Sequence, residues 1–132
     1  MATQKTELLT KLREANQDFF SGQPTAPTEM DYDEAEDVLY ISVGEPRLAL
    51  TLNVGDGLML RYEPETMKLV GFTVTSFQEH FIGLYPEFCF LAQLLAPPRQ
   101  GSQNRYVQQL QAPRVAAFSR TTAQLVQQYM VA

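Results

Sequence analysis

Val38-Leu39-Tyr40-Ile41-Ser42-Val43 and, after a short break, Arg47-Leu48-Ala49-Leu50-Thr51-Leu52-Asn53-Val54 set the architecture of this chain. The first run is β-branched and aromatic, the composition of a well-buried strand. The second alternates, with Leu48, Leu50, Leu52 and Val54 on one face and Arg47, Ala49, Thr51 and Asn53 on the other. Downstream, Leu58, Leu60 and Tyr62 alternate with Met59 and Arg61, and residues 67–77 supply another strand in which Val70, Phe72 and Val74 alternate with Leu69, Gly71 and Thr73. Upstream, Met30-Asp31-Tyr32 reads as a short first strand. Turn signals separate the runs: Glu34-Ala35-Glu36, Gly44-Glu45-Pro46, Gly55-Asp56-Gly57 and Glu63-Pro64-Glu65-Thr66. Connections this short exclude parallel crossovers, which need about a dozen residues. The expectation is a four- or five-stranded antiparallel β-meander over residues 29–77.

A sheet with one apolar face needs a cover, since each buried leucine is worth about 1.5–3 kcal/mol against exposure. Residues 3–20 read as an amphipathic helix with Leu8, Leu12, Ala15 and Phe19 on one face, capped by Thr3 or Thr6 and stopped by Ser21-Gly22 with Pro24 and Pro27. In residues 77–96, Ser76 and Glu79 match a capping box, Pro86 interrupts, and Phe88, Leu91, Leu94 and Leu95 follow before Pro97-Pro98 ends the helix. Residues 114–131 align Phe118, Thr122, Leu125 and Tyr129 at helical spacing. Between them, residues 99–112 are glutamine-rich around Tyr106, Val107 and Leu110, which suggests a short helix stopped before Pro113. The fold class expected is therefore α+β, with N-terminal and C-terminal helices covering the sheet. A single domain spans 1–132: a helix in 1–22, the meander in 29–77 and a helical part in 78–132.

Composition agrees with a globular chain: 132 residues, 45% hydrophobic and 19% charged. No apolar stretch approaches the ~18 residues of a membrane span, and the first residues lack the pattern of a secretory signal. The one cysteine, Cys89, has no internal disulfide partner, so a reducing, cytoplasmic setting is expected. The net charge of −5 is uneven: residues 1–87 carry all fifteen acids and six of the ten basic side chains, whereas residues 88–132 carry four arginines and no acid. Such asymmetry favours attraction between copies of the chain over nucleic acid, which the overall acidity repels.

A search for chemistry returns little. His80 is the only histidine, which excludes a multi-histidine metal site in one chain, and no oriented nucleophile accompanies it. Cys89 sits among Phe88, Phe90 and Leu91, an apolar setting that keeps a thiol inert, and reads as core. The acidic run Glu29, Asp31, Asp33, Glu34, Glu36, Asp37 fails as a calcium loop, because the sixth and twelfth places from Asp31 hold Glu36 and Ser42. Gly55-Asp56-Gly57 lacks the spacing of a phosphate loop. No cofactor, metal or catalytic residue is expected.

Tyr32-Asp33-Glu34-Ala35-Glu36-Asp37-Val38-Leu39-Tyr40-Ile41, then Asp56-Gly57-Leu58, then Leu69-Val70-Gly71-Phe72, resembles a small bacterial family, the domain-of-unknown-function family numbered 2283. The similarity covers about residues 29–77. It implies a compact meander with a helix, and no established reaction; a regulatory role is compatible with it. Where that family often carries acids, this chain has Arg61 and Thr73.

Three functions follow as expectations. The first is a non-enzymatic protein-interaction module that forms a homodimer or binds another protein, with Arg105, Tyr106, Arg114, Phe118 and Arg120 as its interface. The second is a small-ligand-binding protein or an enzyme with a pocket between sheet and helices, drawing on Tyr40, Arg61, Tyr62 and His80. The third is nucleic-acid binding through the basic C-terminal part, including Arg99.

Overall fold

The computed structural model describes residues 4–21, 27–45, 47–93 and 105–131. The helical pattern near the N-terminus resolves into α1 (Gln4–Ala15) and α2 (Gln17–Phe20), broken at Asn16. Strands β1 (Thr28–Asp33), β2 (Val38–Val43), β3 (Leu50–Gly55), β4 (Leu58–Tyr62) and β5 (Leu69–Thr75) follow. A π-helical turn (Phe77–Phe81), α3 (Ile82–Leu84), a 3₁₀ turn (Pro86–Phe88) and α4 (Cys89–Gln93) come next, then β6 (Arg105–Gln109) and α5 (Ala112–Val131). Thr3, Gly22, Pro24, Pro46, Leu94, Leu95, Pro97, Pro98 and Arg99, which enter the expectations above, lie outside the described residues.

The sheet is antiparallel in the order β3-β4-β5-β2-β1-β6. The expected α+β architecture stands: hairpins join β1 to β2, β3 to β4 and β4 to β5, and helices from both ends of the chain cover one face. Two details depart from the sequence reading. Residues 105–109 form a strand beside β1, not a helix, because the open edge of β1 offers backbone partners that local propensity does not register. The break at Gly44-Glu45-Pro46 does not close a hairpin either. Strand β2 pairs with β5 and not with β3, and Ile41 lies opposite Phe72. With β3, β4 and β5 in hairpins and β2 returning beside β5, the order is that of a Greek key.

The turns explain themselves locally. Asp56 and Gly57 both have positive φ, 56° and 91°, as a two-residue type I′ hairpin requires. Gly71 is demanded by proximity: a Cβ there would lie 2.3 Å from the Ile41 carbonyl oxygen.

The covered face carries Met30 and Tyr32 of β1, Leu39, Ile41 and Val43 of β2, Leu58 and Leu60 of β4, and Phe72 and Val74 of β5, all buried. The Phe72 ring lies at the centre. Phe19 stacks on it at 5.5 Å and Phe118 meets it edge-on at 5.1 Å, so the two termini converge on one strand. The buried residues of α1 are Leu9 and Leu12; Leu8 and Ala15 are half-buried, which rotates the apolar face from the one expected. Phe118, Thr122 and Leu125 of α5 are buried as their spacing predicts, while the Tyr129 side chain lies outside the described residues. Cys89 is half-buried.

Two polar clamps hold the cover. Asn16, 8% exposed, donates through Nδ2 to the carbonyls of Leu12 (2.7 Å) and Met67 (2.8 Å), and its Oδ1 accepts from the Leu69 amide (3.0 Å). At the other end of the sheet, Asp37 takes the place expected of Ser76. Ser76 makes no side-chain cap; instead the Asp37 carboxylate accepts from the amides of Gln78 (2.9 Å) and Glu79 (3.0 Å) at the start of the π-helical turn. Asp37 and Met67 each close a hairpin turn with positive φ, 56° and 63°. The structure thus fastens its helical cover at two corners of the sheet where a non-glycine residue has positive φ.

Candidate interaction surface

The uncovered face of the sheet presents Val38, Tyr40 and Ser42 of β2, Met59 and Arg61 of β4, and Thr73 of β5, all half-buried. Across it, Asp31, Tyr40, Thr73, Met59 and Asn53 lie in one row of paired residues. Arg61 sits in the next row, opposite Gly71.

The four residues expected to converge on a ligand do not. Tyr40 and Arg61 belong to the uncovered face, Tyr62 is 8% exposed and packs in the core, and His80 is exposed on the π-helical turn. Strand alternation separates Tyr62 from Arg61, since neighbours on a strand point to opposite sides. Nor does the expected interface hold as a set. Phe118 is core, 1% exposed, because helical spacing marks a buried stripe and not which partner buries it. Arg114 and Arg120 are exposed on α5, and Arg105 and Tyr106 lie on β6 with side chains outside the described residues.

Tyr32 is a buried polar group tied into the second clamp. Its hydroxyl donates to Asp37 Oδ1 at 2.6 Å and accepts from Gln78 Nε2 at 3.1 Å. Burial, reinforced by the hydrogen bond to Asp37, pushes the phenol pKa well above its ordinary value. A neutral phenol that donates to a helix-capping carboxylate secures a corner of the fold; it is poorly suited to proton transfer near neutral pH.

An open cleft of about 540 Å³ lies between the α1–α2 break and the chain leaving β2. Three of its polar side chains are committed to the fold: Arg47 Nη2 donates to the Leu69 carbonyl at 3.0 Å, Lys68 Nζ to the Ala15 carbonyl at 2.7 Å, and Asn16 makes the three bonds above. Among the described residues, no group of three His, Cys, Asp or Glu comes together to hold a metal ion. None of the described helices is long and apolar enough to cross a membrane.

The feature the sequence reading missed is at the margin of the sheet. Strand β3 pairs on one side with β4 and ends the sheet on the other. Leu48, just before β3, is 93% exposed; within β3, on the face the helices cover, Leu50 is 51% exposed, Leu52 half-buried and Val54 buried. The helices cover the sheet centre and leave this strand's leading half bare. No charge falls between Leu48 and Gly55, although edge strands are ordinarily guarded by lysine, proline or inward charge. A β-bulge between Asn53 and Gly55 bends only the trailing end. That charge-free run was visible in the sequence; its position at an edge was not. Compared with known proteins, the chain matches no family model, no curated protein and no solved structure.

Proposed function

We propose that this protein is a non-enzymatic interaction module that associates with a second copy of itself through the apolar margin formed by Leu48, Leu50 and Leu52. The observation that carries this reading is the 93% exposure of Leu48, just before β3, and the 51% exposure of Leu50, the first residue of that strand, in a run without charge. Scattered exposed leucines are ordinary on protein surfaces, but a group of them leading into an unguarded edge strand is a binding feature or an aggregation hazard. Burying them in an interface recovers the stabilisation that the helices leave unclaimed. A cytoplasmic setting goes with this reading, given the single cysteine, and the partial resemblance to a family without established reaction is compatible with it.

Sedimentation velocity over a wide concentration range tests the proposal. The wild-type chain is expected to show a concentration-dependent dimer, and Leu48→Lys combined with Leu50→Lys to weaken it by at least about a hundredfold. A strict monomer at all concentrations overturns it.

A further inference from the structure

The leucine margin has an internal symmetry that specifies how a second copy fits. This step rests on the self-association reading and adds its geometry. Residues 48–52 read Leu-Ala-Leu-Thr-Leu, nearly the same from either end about Leu50. An antiparallel pair of such segments, related by a two-fold axis at Leu50, sets Leu50 opposite the partner's Leu50 and Leu48 opposite the partner's Leu52. Ala49 then faces the partner's Thr51, so every pairing is apolar or small and no like charges meet.

The backbone agrees. The two-residue turn at Asp56-Gly57 makes Gly55 and Leu58 a hydrogen-bonded pair, so by alternation Leu58, Leu60 and Tyr62 direct their backbone groups toward β3. Consistently, Glu63 donates its amide to Lys68 on the other side. Leu50 and Leu52, partners of Tyr62 and Leu60, therefore bond inward. Thr51 therefore turns its N–H and C=O groups outward, and Ala49, just before β3, does the same once pairing with a two-fold mate centred on Leu50 extends the strand over residues 48–49. The bulge between Asn53 and Gly55 stays outside the paired segment.

We propose that two copies join edge to edge through residues 48–52, antiparallel about Leu50, and fuse their six-stranded sheets into one continuous sheet with the leucines clustered on the helix-covered side. Each β3 edge is then used by the other, so association through it closes at a dimer.

Cysteine cross-linking of the full chain tests the geometry apart from the association. Leu50→Cys is made in a Cys89→Ser background and oxidised gently, with circular dichroism to check folding. Centred pairing brings the two Cα atoms to about 4.5 Å, within reach of a disulfide, so a covalent dimer is expected. A mixture of Ala49→Cys and Thr51→Cys chains, each also Cys89→Ser, keeps the test open should Leu50→Cys fold poorly. That mixture is expected to give mixed dimers more readily than either chain alone. A wild-type dimer that cross-links through Gln109→Cys on β6 but at neither β3 site overturns the edge geometry and leaves self-association standing. Open-ended polymers overturn the two-fold closure. A monomer at every concentration removes both readings.

Discussion

β2 and β3 carry the same kind of pattern, a run of apolar residues alternating with others, and they end in opposite surroundings. In β2, Leu39, Ile41 and Val43 are between 0% and 7% exposed, because β5 and β1 flank the strand and the rings of Phe19, Phe72 and Phe118 gather over this part of the sheet. Along the chain into β3, the corresponding positions run from 93% exposed at Leu48 to 1% at Val54. Alternation identifies which side of a strand is apolar. It does not say whether a helix reaches that side, and a strand three places from β2 gets only the fringe of the cover. The contrast separates residues that hold the monomer together from residues left for something else.

The largest expected effect tests that separation directly. Phe72→Ala, at the meeting point of both terminal helices, should lower unfolding free energy by about 3–5 kcal/mol. Leu50→Ala should move it by no more than about 0.5 kcal/mol at concentrations where the chain is monomeric. Urea denaturation of dilute protein reads both, and comparable losses would abolish the distinction between centre and edge.

Next in size is the clamp that holds the N-terminal cover. Asn16→Ala leaves the Leu69 amide and the Met67 carbonyl without their side-chain partner and should cost about 2–3 kcal/mol. Hydrogen exchange should quicken in α1 and α2 ahead of β2, since the helix layer is what the amide fastens. Uniform acceleration across the sheet would show that cover and sheet open as one unit.

Asp37→Ala should cost about 1–2 kcal/mol through loss of the cap on the π-helical turn. Asp37→Asn should cost less, because asparagine tolerates positive φ and retains one acceptor oxygen. Thermal unfolding distinguishes the two, and equal losses would shift the explanation from capping to carboxylate charge.

The smallest effect is a pH dependence. Burial and the bond to Asp37 raise the Tyr32 pKa in the folded state, so folding favours the neutral phenol. Its contribution is intact below the unfolded value of about 10 and is lost as pH rises from there toward the folded value. Wild-type stability should therefore fall more steeply than that of Tyr32→Phe between about pH 9.5 and 11. Parallel curves would exclude Tyr32 as the source.

Much of the fold was legible. β-Branched and aromatic composition located β2, period-two alternation located β3 to β5, Asp56-Gly57 located a hairpin, and spacing of 3.6 located α5 with Phe118, Thr122 and Leu125 inward. The misreadings share a cause. Residues 105–109 look helical by composition, and become a strand because β1 offers a free edge. Ser76 looks like a cap, and is displaced by Asp37, distant in sequence and brought close by the β1–β2 hairpin. Tyr40, Arg61, Tyr62 and His80 look like a polar set, and are dispersed by strand pleat and by the register of separate elements.

Side-chain chemistry and its periodicity were thus enough to decide element type, apolar faces and the need for a helical cover, because these arise from interactions within a few residues. Strand order, the partners of Asn16 and Asp37, and the exposure of Leu48 and Leu50 arose only once the chain was folded. Each depends on which distant segments compete for the same edge or face, and that competition is settled by the packing of the whole chain.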